Sequence, residues 1–239
     1  MAFYNIAGLT VEMESYGRTV EQAEMYRCDD CGAPDIHIQS MWEMAKVKFP
    51  EKFHGVSDDI GEYLYSGASF YKQLLNFEGL MLHSTAVVVD GKAYLFSADP
   101  GTGKSTHTSL WLDRFGDRAY ILNDDKPALR RMDGKWYAFG TPWSGKHDIS
   151  VNTGVPVAGI AMLRRGEDNE IEPFGGKDAI LAILKQVNRP KDMEFRIKLL
   201  DLLDKLITEV PVWCLKCNMD PGAVDVSYGA MGKEKEHEN

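Results

Sequence analysis

The run Ala98-Asp-Pro-Gly-Thr-Gly-Lys-Ser105 leaves this chain few ways to fold. A small residue, four free positions and then Gly-Lys-Ser is the Walker A spacing, with Ala98 where glycine is usual. The motif works only between a strand and a helix, and its flanks supply both. Residues 93–97 are β-prone, and a helix is expected over about 105–115. Gly101 and Gly103 let the backbone curl so that successive N–H groups converge on an anion. The helix start adds the positive end of its dipole at the same place. Pro100, Thr102 and Thr106 complete the cradle. Lys104 is placed as a point charge on the outer phosphates, and Ser105 as a hydroxyl ligand for Mg²⁺.

A strand over 119–122 then empties into Asn123-Asp124-Asp125. Carboxylates at a strand end beyond such a helix are placed to hold Mg²⁺ or to take a proton from an acceptor. Two similar phrases bracket this unit, Thr85-Ala-Val-Val-Val-Asp-Gly-Lys-Ala-Tyr-Leu-Phe96 and Ala128-Leu-Arg-Arg-Met-Asp-Gly-Lys-Trp-Tyr-Ala-Phe139. Asp-Gly tolerates the positive φ of a two-residue turn, so both read as hairpins. Short strands are expected within 1–40, a helix over 58–78, strands over 157–163, 170–173 and 210–215, and helices over 178–187 and 195–206, with Arg189-Pro190 between the last two. The fold class that follows is α/β. A phosphate-loop core of mixed twisted sheet with flanking helices spans 79–231, a β-rich N-terminal region with a connecting helix spans 1–78, and the charged tail, 232–239, is expected to be disordered.

Other residues carry possible chemistry beside a plainer role. His83, in Leu82-His-Ser, opens a strand, where a lone histidine is more often structural than functional. Gly140-Thr-Pro-Trp-Ser-Gly-Lys-His-Asp148 gathers Trp143, Lys146 and His147 on one turn, which suits a substrate-binding loop as well as a hydrated one. Lys177, after Phe174-Gly-Gly, sits at a helix start where an anion could bind. Cys28-x-x-Cys31 and Cys214-x-x-Cys217 could together supply a zinc site. The pairs are far apart, however, and the second lies in a strand whose i and i+3 side chains face opposite ways. Reduced thiols are the simpler reading.

Net charge narrows the partners. Lys+Arg number 27 against 36 Asp+Glu, a balance of −9 that disfavours nucleic acid and anionic membrane. No run approaches the ~20 apolar residues of a membrane span. The start, MAFYNIAGLTVEMESYG, lacks a basic stretch before a long apolar one, so a signal peptide is not expected and a cytoplasmic location is.

Leu82-His83-Ser84, the loop 98–105 and Asn123-Asp124-Asp125 resemble, in order and interval, the catalytic core of bacterial HPr kinase/phosphorylase. That family is related in fold to ATP-dependent phosphoenolpyruvate carboxykinase. Pro173-Phe-Gly-Gly-Lys177 is similar to a Pro-x-x-x-Gly-Arg phrase before a late helix there, with Lys177 in place of arginine. The resemblance covers about 80–190. It implies a Mg²⁺-dependent kinase that uses ATP and passes a phosphoryl group to a hydroxyl of a peptide, protein or small molecule. It further implies Asp124 as base, poised by a nearby His83, with Asp125 and Ser105 on Mg²⁺ and Lys104 and Lys177 on phosphate. The glycine-rich signature that follows in that family is replaced here by Trp143-Ser-Gly-Lys-His-Asp-Ile-Ser150, and the large N-terminal domain of that family is not seen in this chain, so HPr is not the expected acceptor. A non-catalytic nucleotide-binding regulatory module and a carboxykinase-like enzyme are the alternatives. The donor (ATP, GTP or pyrophosphate) and a homo-oligomeric state are left open.

Overall fold

The structure, a computed structural model, describes residues 1–232. The chain begins with a hairpin of β1 (Ala2–Ile6) and β2 (Leu9–Met13), followed by α1 (Arg18–Ala23) and by β3 (Ile36–Ile38), which lies parallel to β2. Then come α2 (Trp42–Lys48) and α3 (Asp58–Leu74). Ser57 caps α3 by accepting the Ile60 N–H (3.4 Å), and Asp58 and Asp59 lie in its first turn, where the dipole favours acids. Tyr63, Phe70, Tyr71 and Leu74 recur at helical spacing along its buried face. The helix expected over 58–78 stops at Leu74, because a 3₁₀ turn and Glu78, at φ +50°, redirect the chain.

The remaining chain runs through β4 (Gly79–Met81), β5 (Thr85–Val89), β6 (Lys92–Ser97), α4 (Lys104–Phe115), β7 (Ala119–Asn123), β8 (Ala128–Met132), β9 (Lys135–Phe139), β10 (Gly154–Arg165), β11 (Glu170–Pro173), α5 (Gly176–Lys185), α6 (Met193–Glu209), β12 (Val212–Cys217) and α7 (Gly222–Met231). Both Asp-Gly phrases form the expected two-residue turns, with φ of +50° and +74° at Asp90-Gly91 and +49° and +76° at Asp133-Gly134. Among the described residues the strands form a three-stranded sheet, β1-β2-β3, and a nine-stranded one. The larger sheet runs β4-β8-β9-β10-β6-β5-β7, with β12 on β10 and β11 on β12.

β10 is the hinge of that sheet. It is longer than the 157–163 strand expected, and its first residues pair antiparallel with β9. Its later ones pair parallel with β6 on one side and β12 on the other. The sheet therefore curls. β11 pairs antiparallel with β12. β12 starts at Val212 because Val210 still bonds back to Leu206 and Pro211 has no N–H to donate.

The central strands are buried on both faces, and alternation sorts their side chains. Ala86, Val88, Ala93, Leu95, Ile160 and Met162 face a cluster closed by Ile183 of α5 and Leu199, Leu202 and Leu206 of α6. Val87, Val89, Tyr94, Phe96, Ala161 and Leu163 face the other way, onto Trp111 of α4 and Val224 and Met231 of α7. A further cluster joins the N-terminal sheet and α3 to Ala128 and Trp143 of the larger unit. The fold is thus mixed α/β, a curled mixed sheet with flanking helices and a small N-terminal sheet.

Cys28 and Cys31 depart from the reduced thiols expected. Their Cα atoms stand 5.7 Å apart and their sulfurs are bonded, while Cys214 and Cys217 are free. The tail expected to be disordered lies, from residue 233 on, outside the described residues. Among the described residues no helix is long and apolar enough to cross a membrane.

Candidate active site

β6 ends at Ser97, and the chain then curls through residues 98–103 before entering α4. The Thr102 N–H and Oγ1 both donate to Asp99 O (3.2 and 2.8 Å), closing a tight turn. Gly101 and Gly103 adopt φ of +79° and +116°. A Cβ on either would touch nothing within 4 Å, so the backbone angle rather than crowding calls for glycine. The first bond of α4 runs from His107 N–H to Gly103 O (2.9 Å), which leaves the N–H groups before it without helical partners. Such a helix start is suited to an anion.

Lys104 folds over this turn, its side chain only 15% exposed. Its Nζ lies 3.4 Å from His83 Nε2 and 3.9 Å from Asp125 Oδ1. Burial pushes the Lys104 pKa below its ordinary value, against the opposing pull of Asp125 and Asp124.

The acid pair is set by Asn123. Its Oδ1 accepts the N–H groups of Asp125 (3.0 Å) and Lys126 (2.7 Å), an Asx turn that ends β7 and sends the two carboxylates apart. Asp124 Oδ1 accepts the Gly145 N–H (2.5 Å), and a Cβ on Gly145 would stand 2.7 Å from Asp124 Oδ2. Asp125 Oδ1 lies 2.9 Å from His83 Nε2, and its Oδ2 pairs with the Lys126 ammonium. His83 thus supports Asp125, not Asp124 as anticipated. Burial acts to raise the Asp125 pKa, but the hydrogen bond with His83 and the Lys126 charge outweigh it and hold the carboxyl well below the usual carboxylate range.

A pH dependence follows. With its folded pKa below the ordinary 3.8, Asp125 contributes stability that is present above that value and lost as pH falls through the folded one. Asp125→Asn is expected to cost about 1.5–3 kcal/mol near neutral pH, the range for hydrogen bonds to charged groups. Urea unfolding of both proteins is expected to show that gap narrowing below a pH of about 4. A gap that widened with acid would refute the ion-pair account.

Gln186, just beyond the end of α5, was not anticipated. Its Oε1 lies 3.0 Å from His83 Nδ1, its Nε2 donates to Asp99 Oδ1 (3.0 Å), and its carbonyl accepts the His83 N–H (2.7 Å). One side chain therefore ties the histidine to the glycine loop. No motif marks it, whereas Lys126, equally unanticipated, sits visibly beside the acid pair. Lys177 sits at the opposite end of α5, roughly 13 Å along the axis from Gln186 at 1.5 Å per residue. It is exposed and does not line the cleft.

The 140–150 loop divides its residues. Trp143, expected on a binding surface, is 1% exposed and stacks on Phe70 (centroids 4.9 Å apart), so it is a core residue. Lys146 and His147 face solvent and line the cleft. The N-terminal segment grips this loop. Arg18 donates to Gly145 O (3.1 Å) and pairs with Asp148, Gln22 also reaches Asp148, and Tyr26 OH meets Ser150 Oγ (2.6 Å).

These pieces surround one cleft of about 480 Å³, lined by residues 98–101 and 103–106 together with His83, Asp124, Asp125 and residues 145–147. The Ser105 hydroxyl and the Asp125 carboxylate, both on this cleft, are oxygen donors of the kind Mg²⁺ takes alongside phosphate and water. Among the described residues no group of three or more His, Cys, Asp or Glu gathers to hold a metal. An ion would therefore depend on ligand oxygens to complete its shell.

The fold and site define a mixed α/β protein with a glycine-rich loop facing an acid pair across a polar cleft. No family model matches the chain, and no curated protein does. Among solved structures it is similar to the Hpr(Ser) kinase/phosphatase from Coxiella burnetii. That match is 14% identical, covers 63% of this chain and 89% of that one, and has a TM-score of 0.37. A likeness of that size is distant and supplies no argument for activity.

Proposed function

We propose that this chain is a phosphotransferase that takes a nucleoside triphosphate with Mg²⁺ and passes the terminal phosphoryl group to a hydroxyl. The observation that carries this reading is the meeting, in one cleft, of the curled loop and its Lys104 with Asp124, Asp125 and His83. The N–H groups around Gly101–Thr106 and the Lys104 ammonium bind the phosphates. Ser105 and Asp125 would hold Mg²⁺, which when bound supplies charge neutralisation at the transferred group.

Asp125, kept ionised by His83 and Lys126, is a weak base and serves by its charge. Asp124 takes the acceptor proton. The acceptor oxygen forms the new bond to phosphorus while the bridging P–O bond breaks and its electron pair leaves on the nucleoside diphosphate. With little covalent work for the protein to do, positioning and charge stabilisation carry the rate. Lys146 and His147 meet the acceptor from the exposed side. Carboxykinase chemistry would need further arginines at the cleft. Arg130 is instead held by Ala7 O and Phe77 O, and Arg131 by Glu209.

The test is incubation with ATP labelled at its terminal phosphate and a cell extract, followed by mass spectrometry of what is labelled. A labelled hydroxyl compound or serine is expected, and its loss in Lys104→Ala. Slow release of diphosphate with no labelled acceptor would favour a nucleotide-binding module without transfer.

A further inference from the structure

A second cleft of about 480 Å³ opens on the other side of the glycine loop. It shares Gly101, Gly103 and Thr106 with the first and continues to Arg165, Cys217 and Met219. Its position has a topological cause. β6, β10 and β12 are adjacent and parallel, with Arg165 in register with Cys217, so the segments leaving all three carboxyl ends converge there. Ligands of α/β sheets bind at that edge. None of its lining residues carries a carboxylate, in a chain whose net charge is −9. Arg165 at the rim donates to Gly101 O (2.5 Å).

His107 adds an independent sign. It lines this cleft, is 2% exposed, and its Nδ1 has no hydrogen-bond partner. Its Nε2 accepts the Trp111 indole N–H (3.1 Å), so the neutral ring carries its proton on Nδ1. Burial lowers the His107 pKa to about 4, which keeps the ring neutral at physiological pH. A buried donor without an acceptor is costly, and this one belongs to a residue on the wall of the cleft.

We propose that this second cleft takes the nucleoside part of the nucleotide, with His107, Arg165 and Met219 lining its walls. The inference rests on residues 98–106 holding the phosphates. The acid-lined cleft is then left to the acceptor, and donor and acceptor approach the transferred group from opposite sides of one loop. The volume lies within the roughly 300–1,000 Å³ usual for small-molecule sites.

Cys217, half-buried in this cleft and free, serves as the reporter, and buried Cys214 as the internal control. Iodoacetamide labelling is followed by peptide mass analysis, with ATP–Mg²⁺ or pyrophosphate–Mg²⁺ present and binding of each measured by calorimetry. At ten times its Kd, ATP is expected to slow Cys217 alkylation about tenfold, by occupancy alone. Pyrophosphate, which binds the loop but has no nucleoside, is expected to leave the rate within about twofold. Conversely, a bulky maleimide on Cys217 is expected to weaken ATP by about tenfold or more and to spare pyrophosphate. Bound ATP with unshielded Cys217, or equal shielding by pyrophosphate, would overturn the nucleoside assignment while leaving the phosphate site standing. Failure of both ligands to bind would overturn both.

Discussion

Asp124→Asn is expected to slow phosphoryl transfer by about 10²–10⁴-fold, the usual contribution of a positioned base, and to leave nucleotide affinity within about twofold. The substitution isolates proton transfer from structure. An asparagine Oδ1 can still accept the Gly145 N–H, so the 144–150 loop keeps its anchor while the basic oxygen is lost. Asp125 cannot take over, because its carboxylate is spoken for by His83 and Lys126 and its basicity is low. Single-turnover transfer of labelled phosphate, beside a titration with a non-hydrolysable nucleotide, separates the two effects. Turnover near that of the parent protein would remove Asp124 from the role.

Trp143→Ala is expected to cost about 3–5 kcal/mol of stability, the range for a large buried aromatic. The ring stacks on Phe70, meets Tyr71 edge-on at 5.6 Å and donates from Nε1 to Ser66 Oγ (3.1 Å). It also closes the cluster that binds the N-terminal sheet to the larger one. Urea unfolding, with the midpoint and slope both fitted, reports the loss. An unchanged midpoint with weakened ligand binding would instead return Trp143 to the surface role its sequence context suggests.

The parts of this architecture legible in the sequence are those governed by local rules. Asp-Gly turns, the glycine loop and the strand–loop–helix order around it depend on backbone preferences within a few residues, and the structure forms them where expected. The misplacements share a different cause. Trp143 and His147 sit four residues apart in one polar loop, and only the packing of α3 beneath decides that one turns in and the other out. Lys177 looked anion-seeking because it starts a helix, but tertiary packing turned the other end of that helix toward the loop and brought Gln186 to His83 instead. α7 carries two Gly and two Val among its ten residues, which weakens its intrinsic helix preference. No element is expected there from the sequence; the helix is held by Ala223, Val224, Ser227 and Met231 packing inward. The bond between Cys28 and Cys31 depends on a turn that spacing alone leaves open.

Arg18, Gln22 and Tyr26 hold the loop that carries Lys146 and His147 from more than a hundred residues away in the chain. One wall of the acid-lined cleft is thus braced by the opening segment of the chain. On the proposed reading, changes confined to those early residues would alter which hydroxyl compound the cleft admits and leave the glycine loop and its lysine untouched.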